Sequence, residues 1–183
     1  MARLTILEYP DPRLRTRAAP VTVFDSALSR LIDDMFETMY AAPGIGLAAT
    51  QIGEAQRIFL IDIASEDEPS KLIVFINPEI IKKEGESCGP EGCLSFPTIT
   101  EDIKRAAKVT VRALDKKGQP FELEAEGLLA VAVQHESDHL DGVLMIDRMG
   151  MLKKRIVQRK MRTQSVGNAS KMIDDVFDSI AHR

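Results

Sequence analysis

Two histidines and a glutamate form an H-E-x-x-H pattern within residues 134–139. On a helix, residues four apart project from the same face, so the imidazoles of His135 and His139 can hold one metal ion. Glu136 then stands beside the metal, free to take a proton from water. The pattern predicts a metal site. The alternative is a helix with two hydrogen-bonded histidines and surface acids.

The residues around this pattern favour a buried helix. An almost wholly apolar segment precedes it, made of Leu128, Leu129, Val131, Ala132 and Val133. Gly142 follows within three residues of His139, as is typical of a residue that ends a helix. Leu128, Val131, Ala132 and His135 share one helical face, which suits either a pocket wall or plain core packing.

A third metal ligand must come from elsewhere in the chain. Both cysteines, Cys88 and Cys93, lie in segment 85–97, which is rich in glycine and proline and is expected to be a loop. A Cys93 thiolate would complete a three-ligand site that leaves one position for water. The alternative for Cys93 is a small buried hydrophobe. With Cys88 as a fourth ligand, the site would instead be a closed structural zinc site.

The rest of the chain predicts an α+β fold, in which short antiparallel strands pack around the central H-E-x-x-H helix, with one helix before it and one after it. The first helix is expected at 26–41, with Asp25 or Ser26 as its N-cap. Strand-like apolar runs cover 57–63 and 72–76, and Pro78 is expected to stop the second. Further elements are expected as a strand at 79–86, a hairpin at 108–125 turning at 116–119, and an amphipathic helix at 150–163.

Length and composition indicate one domain, expected to span residues 1–163, followed by a tail at 164–183. The chain has 183 residues, of which 44% are apolar and 28% charged, as in ordinary globular proteins. It shows no run of the ~20 apolar residues that a membrane span requires, and its N-terminus lacks the apolar core of a signal peptide. Two cysteines do not make a disulfide scaffold, so we expect a cytoplasmic protein without a membrane partner.

Charge is unevenly distributed along the chain. Residues 148–183 carry nine Lys or Arg against three acids, whereas residues 1–147 carry fifteen against twenty-five. A basic segment on an acidic body indicates an electrostatic partner, although a merely solvated helix face explains it equally well. Leu152, Ile156 and Met161 are expected to hold one side of helix 150–163 against the body.

Three short stretches together resemble the peptide deformylase family: G-I-G-L-A-A-T-Q at 44–51, E-G-C-L-S at 91–95 and Q-H-E-S-D-H-L at 134–140. Each stretch is modest alone, but their order and separations are specific. The similarity runs from the first helix through the helix after Met149. Ser137 departs from it, because the family usually has a bulky apolar residue there. The tail beyond Thr163 also looks longer than is usual.

The resemblance implies a hydrolase that removes the formyl group from the N-terminal formyl-methionine of nascent polypeptides and releases formate. It implies metal ligation by Cys93, His135 and His139, with Glu136 as the catalytic acid and base. Gln51 and the backbone N–H of Leu94 would then face the formyl oxygen. Fe2+ is the implied ion, with Zn2+, Ni2+ or Co2+ able to substitute.

The same reading predicts how the substrate binds. Glycines at 44, 46 and 92 would let an extended peptide add as a strand against the backbone. The residues expected to bind substrate are Ile45, Gly46, Gly92, Leu128, Val131 and Ala132. Since the substrate emerges from a ribosome, helix 150–163 is expected to dock on RNA phosphates without reading a specific nucleic-acid sequence. A zinc endopeptidase shares H-E-x-x-H, but a cysteine ligand on an upstream segment argues against that class.

Overall fold

The computed structural model describes residues 2–65 and 67–165. It has an α+β fold in which seven antiparallel strands lie between two α-helices in the chain. Two compact units divide the chain, Met1–Arg148 and Met149–Arg183. The named helices of the first unit are α1 (Ser26–Ala41) and α2 (Gly127–Leu140). Its strands are β1 (Gly46–Ala48), β2 (Ile58–Ile61), β3 (Ile73–Glu84), β4 (Ser87–Cys93), β5 (Phe96–Arg105), β6 (Lys108–Leu114) and β7 (Pro120–Glu126). Short 3-10 turns lie at Pro12–Arg15, Ala49–Ile52 and Met145–Arg148.

Helix α1 begins and ends where its sequence pattern predicts. The side chain of Asp25 accepts hydrogen bonds from the backbone N–H groups of Ala27 and Leu28, each at 3.0 Å. This cap satisfies two donors that the first helical turn leaves without partners. The apolar positions Leu28, Ile32, Met35 and Met39 are buried, which confirms an amphipathic helix at 26–41.

Five of the strands form one antiparallel sheet in the order β1-β2-β3-β6-β7, and β4 pairs with β5 in a separate ribbon. The prediction that Pro78 stops its strand is wrong, because β3 continues to Glu84. The ladder between β3 and β6 instead shifts register between Ile76 and Glu79. Asn77, at a φ of 51°, lies at this irregularity, so Pro78 sits where the ladder is already interrupted and no ladder hydrogen bond is lost to it.

The prediction of a loop at 85–97 is also wrong, because most of this segment is strand. Residues of β4 pair with β5 from Ser87 opposite Arg105 to Gly92 opposite Thr100. The register then jumps so that Cys93 pairs with Phe96. The bulge this jump creates on β5 contains Thr98, whose φ of 64° is rare for a β-branched residue. Glycine and proline made the segment look irregular, but pairing with β5 overrides their low strand propensity.

Helix α2 packs its apolar face into the core formed by the sheet. The buried cluster joins Ala130, Val133 and Leu140 of α2 with Phe59, Phe75, Val109, Val111 and Ala113 of the strands. The helix ends at Leu140, and Gly142 follows with a left-handed φ of 71°. A Cβ at Gly142 would lie 2.4 Å from the carbonyl oxygen of Arg15. Only glycine therefore fits this helix stop, which confirms its prediction.

The described part of the second unit is helical over residues 151–165; the predicted tail at 164–183 lies outside the described residues after 165. Leu152 and Ile156 are 75% and 58% exposed, so the prediction that they are buried is wrong. Met161, the third predicted position, is buried, and so is Val157 one turn before it, which was not predicted. No described helix has the length and apolar character needed to cross a membrane.

Candidate metal centre

Cys93, His135 and His139 converge on one point although they come from two different elements. Their sulfur and nitrogen atoms all lie within 4.8 Å of one another. The Sγ atom of Cys93 is 3.3 Å from Nε2 of His139, and that nitrogen is 3.2 Å from Nε2 of His135. Helix α2 supplies both imidazoles from one face, and the end of β4 supplies the thiol. The prediction that these side chains lie together is confirmed.

The donor set fits a catalytic metal ion better than a structural one. Two imidazoles and a thiolate are ligands for Zn2+ or Fe2+, and three protein ligands leave a coordination position open. Cys88 does not belong to this cluster and is exposed on β4. The four-ligand alternative therefore lacks its fourth ligand among the described residues.

A carboxylate supports the first of the two histidines. The Oε2 atom of Glu91 lies 3.0 Å from Nδ1 of His135. The guanidinium of Arg105 donates to both carboxylate oxygens of Glu91, at 2.8 and 3.0 Å. A carboxylate at Nδ1 orients the ring and directs Nε2 towards a metal ion. Sequence reasoning missed both supporting residues, although Glu91 opens the E-G-C-L-S stretch.

The charge state of Glu91 follows from these contacts. Burial alone would raise the pKa of this carboxyl, but hydrogen bonds from Arg105 and His135 outweigh that effect and lower the pKa to about 2. Arg105 also donates to Asp138 of α2 at 2.6 Å, and Arg148 donates to both oxygens of Asp138 at 3.0 and 2.6 Å. A chain of paired charges therefore links the metal cluster to the surface.

Glu136 follows His135 on α2 and interacts electrostatically with it, but it is not one of the three ligand donors. Its side chain is buried against β1, where a Cβ at Gly46 would lie 2.5 Å from its Oε1 atom. Its Oε2 atom has no hydrogen-bond partner among the described residues. Burial raises the pKa of Glu136 to about 7, with the nearby Glu91 adding to the rise and His135 opposing it. A carboxyl with that pKa can both accept and return a proton near neutral pH.

Gln51 is fixed beside the cysteine by its own local contacts. Its Oε1 atom accepts a hydrogen bond from the backbone N–H of Ala48 at 2.9 Å. Its Nε2 atom donates to Ser95 Oγ at 3.1 Å and lies 3.7 Å from the sulfur of Cys93. The amide donor is therefore held next to the metal cluster, as predicted. The buried Ser95, which helps to hold it, was not predicted.

A cavity of about 450 Å³ opens onto this cluster. Its lining includes all the predicted substrate-binding positions: Ile45, Gly46, Gly92, Leu128, Val131 and Ala132. Leu94 and Gln51 also line it, together with the unpredicted residues Phe96, Thr98 and Thr100 from β5. Leu128 and Ile45 are 54% and 43% exposed, so they stand at the rim and not in the core. Leu128 and Ile45 are therefore not packed in the core, which was the alternative to a role in the pocket.

The family model for polypeptide deformylase matches residues 3–155. A peptide deformylase from Chromobacterium violaceum is 52% identical over 92% of this chain and 99% of its own length. One from Alkalilimnicola ehrlichii is 55% identical over 88% of this chain and 90% of its own length. The crystal structure of a peptide deformylase from Legionella pneumophila has a TM-score of 0.86 at 48% identity and covers 92% of this chain and 98% of that one. A peptide deformylase from Synechococcus elongatus, solved in complex with actinonin, has a TM-score of 0.82 at 38% identity, covering 90% of this chain and 89% of that one.

Proposed function

The chain belongs to the peptide deformylase family, and from this premise we propose that Cys93, His135 and His139 hold its metal ion while Glu136, Gln51 and Leu94 carry the reaction. The protein is a metal-dependent hydrolase that removes the formyl group from the N-terminal formyl-methionine of newly synthesised polypeptides. The observation that carries the proposal is the convergence of three ligand atoms within 4.8 Å, with a buried carboxyl beside them.

The peptide is held as an added strand beside β1. This strand lies at one end of the five-stranded sheet, so one of its edges is unpaired in that sheet. Gly46 and Gly92 line the cavity without side chains that would block a close backbone approach. The methionine side chain then packs against Ile45, Leu128, Val131 and Ala132. These contacts orient the formyl group towards the cysteine and the two histidines.

Glu136 moves the proton that the reaction requires. A metal ion held by Cys93, His135 and His139 would polarise the formyl oxygen and lower the pKa of the attacking water. The Glu136 carboxylate accepts a proton from that water and returns it to the amine that leaves. Its burial and its free Oε2 atom among the described contacts support this role. One proton is thereby transferred from water to the new N-terminus, and the hydroxyl stays with the formyl carbon as formate.

Gln51 and Leu94 stabilise the oxyanion that forms at the formyl oxygen. The Gln51 amide has two N–H groups: Ser95 accepts from this nitrogen at 3.1 Å, and the sulfur of Cys93 is a weak acceptor 3.7 Å away, which the oxyanion would replace. The backbone N–H of Leu94, which follows the ligand Cys93, is the second donor. Such a donor typically contributes ~3 kcal/mol to the transition state. Because both donors are fixed in position before substrate binds, little reorganisation is needed during the reaction.

We propose Fe2+ as the ion in the cell, with Zn2+, Ni2+ or Co2+ able to occupy the same site. The test is formate release from a formyl-methionyl peptide, run without oxygen and combined with metal analysis. Release that requires one ion per chain, and that actinonin blocks, is the expected result. If the loaded protein released no formate but cleaved internal peptide bonds, the endopeptidase alternative would replace this proposal.

The basic helix provides a second proposal, docking near the nascent chain at the ribosome. Six cationic residues fall within ten positions: Lys153, Lys154, Arg155, Arg159, Lys160 and Arg162. Their charge suits RNA phosphate, whereas the rest of the chain is acidic. In this proposal residues 1–163 act as one catalytic domain in the cytoplasm, where the substrate is made. A merely solvated helix is the alternative.

A further inference from the structure

The N-terminal segment, residues 4–14, makes backbone hydrogen bonds to both elements that hold the proposed oxyanion donor. The backbone N–H of Leu7 donates to the carbonyl oxygen of Gln51 at 2.7 Å, and that of Tyr9 donates to the carbonyl oxygen of Ser95 at 2.9 Å. Gln51 lies on the 3-10 turn that follows β1, and Ser95 lies between β4 and β5. The segment therefore joins the turn to the ribbon through two residues that are only two positions apart.

Gln51 and Ser95 also meet through their side chains. The Nε2 atom of Gln51 donates to Ser95 Oγ at 3.1 Å, and the two residues are only 1% and 0% exposed. This is the amide that we assign to the oxyanion. The side-chain contact and the two backbone contacts form a closed circuit through Leu7 and Tyr9. A shift of the N-terminal segment would move the turn relative to the ribbon and so change the direction of the amide.

The ring of Tyr9 fixes the N-terminal segment to the ribbon. It stacks on the ring of Phe96, with 5.1 Å between the ring centroids and 20° between the ring planes. Phe96 follows Ser95 in the chain, is fully buried and lines the substrate cavity. Stacked aromatic rings attract each other beyond the apolar area that they bury. This contact therefore keeps the Tyr9 N–H on the Ser95 carbonyl.

The N-terminal segment is also anchored away from the site. The backbone N–H of Leu4 donates to Thr38 Oγ1 on α1 at 2.9 Å. The side chain of Leu7 is buried, and that of Leu14 at the other end is fully buried. The core thus sets the position of the segment before substrate binds, as a preorganised oxyanion site requires.

We propose that Tyr9 is a positioning residue for the reaction, because its contacts with Ser95 and Phe96 hold the Gln51 amide where the oxyanion forms. This inference rests on the proposed function, in which Gln51 stabilises that charge. Tyr9 does not itself line the cavity that the described residues form. The stabilisation that a donor provides depends steeply on its position, so a small displacement of the amide lowers the rate more than it weakens substrate binding.

The first measurement is single-turnover formate release by the full, zinc-loaded chain at saturating formyl-methionyl peptide, with KM determined in parallel. Tyr9→Ala is expected to lower the rate about tenfold and to change KM by less than about twofold. Tyr9→Phe keeps the stacked ring and should restore most of the rate. Phe121→Ala is the matched control, because it removes a ring that packs against Phe75 at 5.6 Å and should leave the rate unchanged.

A double-mutant cycle tests whether Tyr9 acts through Gln51. Once Gln51→Ala has removed the amide, Tyr9→Ala should lower the rate further by less than about twofold. Tyr9→Leu covers the case in which the alanine variant fails to fold, since it keeps apolar bulk without the ring and should lose rate in the same way. An undiminished loss in the Gln51→Ala background would overturn the proposal. So would a change confined to KM, which would mean that Tyr9 acts only through Phe96 on the cavity wall.

The second measurement does not depend on turnover. In the 15N-labelled, zinc-loaded chain, the side-chain amide signals of Gln51 are identified by their loss in Gln51→Ala, and their proton exchange with water is measured. Exchange should be faster in Tyr9→Ala than in Tyr9→Phe and the parent, because the amide is held less firmly on Ser95. Equal exchange in all three would overturn the proposal. If the parent released no formate but the exchange difference were present, the proposed function would fail while the positioning of Gln51 by Tyr9 would be supported.

Discussion

The Oε2 atom of Glu91 lies 3.0 Å from the Nδ1 atom of His135, joining β4 to the metal-binding helix. The two residues are 44 positions apart in the chain. Arg105 fixes Glu91 through both of its oxygens, so the carboxylate cannot rotate away from the ring. This contact gives His135 the orientation and tautomer that a metal ligand needs.

Because the pKa of Glu91 is low in the folded protein, the free energy of unfolding should fall as the pH drops into the acid range. In the folded protein that pKa is about 2, compared with an ordinary 4.5. Its contribution to stability is therefore complete above pH 4.5 and is lost as pH falls towards 2, a change of about 3 kcal/mol. In urea unfolding of the metal-free protein, Glu91→Gln should be less stable than the parent at pH 6, with the difference shrinking in acid.

The control for this experiment is Glu86→Gln. Glu86 forms an exposed pair with Lys104, with side chains 70% and 75% exposed, so its removal should change stability little at any pH. Parallel stability curves for Glu91→Gln and the parent across the acid range would show that Glu91 is not held as a low-pKa carboxylate.

Cys93→Ala should abolish stable metal binding, whereas Cys88→Ala should leave both metal content and formate release nearly unchanged. Only Cys93 lies within the described ligand cluster, and Cys88 is exposed. Metal content after dialysis, measured on both variants and the parent, provides the comparison. If both variants lost metal equally, the result would support the alternative, a structural zinc site with Cys88 as its fourth ligand.

Glu136→Gln should keep the metal ion and lose several orders of magnitude in kcat, because it removes the proton carrier but no ligand. Gln51→Ala should lose roughly 10²–10³-fold in kcat, as is usual for one oxyanion donor. Single-turnover formate release on metal-loaded protein separates this loss from weaker peptide binding. Near-normal turnover by Glu136→Gln would contradict its role as the base.

Much of the candidate site could be predicted because its signals are local. H-E-x-x-H needs only one helical turn, and the apolar segment before it indicates a buried helix. The E-G-C-L-S stretch identifies Cys93 by resemblance. Arg105 and Ser95 were missed, since their contacts with Glu91 and Gln51 depend on how β4, β5 and the Ala49–Ile52 turn are brought together. No short sequence window carries that information.

The fold was predicted less well where tertiary pairing overrides local preference. Gly89, Pro90 and Gly92 favour a loop when read alone, yet they lie in β4 because β5 supplies a partner edge. Helix α1 was predicted to the residue, since Asp25 caps it and its apolar face repeats regularly. On helix 151–165 the burial of Met161 was predicted but that of Val157 was not, because Ile156 beside it is equally apolar.

If Fe2+ is the native ion, activity should decay in air and persist when Ni2+ replaces it. Ferrous iron is redox-active beside the oxidisable thiolate of Cys93, whereas Ni2+ is not readily oxidised here. The measurement is the half-life of formate release at 25 °C in air and under nitrogen for each loaded form. Equal half-lives in air for the two forms would contradict iron-linked oxidation.

Because of its basic helix, the protein should co-sediment with ribosomes at low salt and dissociate from them at moderate salt. Two variants test this: a chain ended after Met149, and one with the six cations of 153–162 changed to glutamine. Both should pellet less than the intact chain while turning over small formyl peptides normally. If all three proteins co-sedimented equally, the helix would have no docking role and would be only a solvated surface.

The proposed ligands are divided between a ribbon and a helix, so a bound ion would also hold the chain together. An ion held by Cys93 and His135 would close a loop of 42 residues, as a covalent crosslink would. Unlike a disulfide, this crosslink exists only at a sufficient free-ion concentration, and at about 100 times its Kd it would add ~2.7 kcal/mol. Metal supply in the cell would then set the lifetime of the folded chain as well as its turnover.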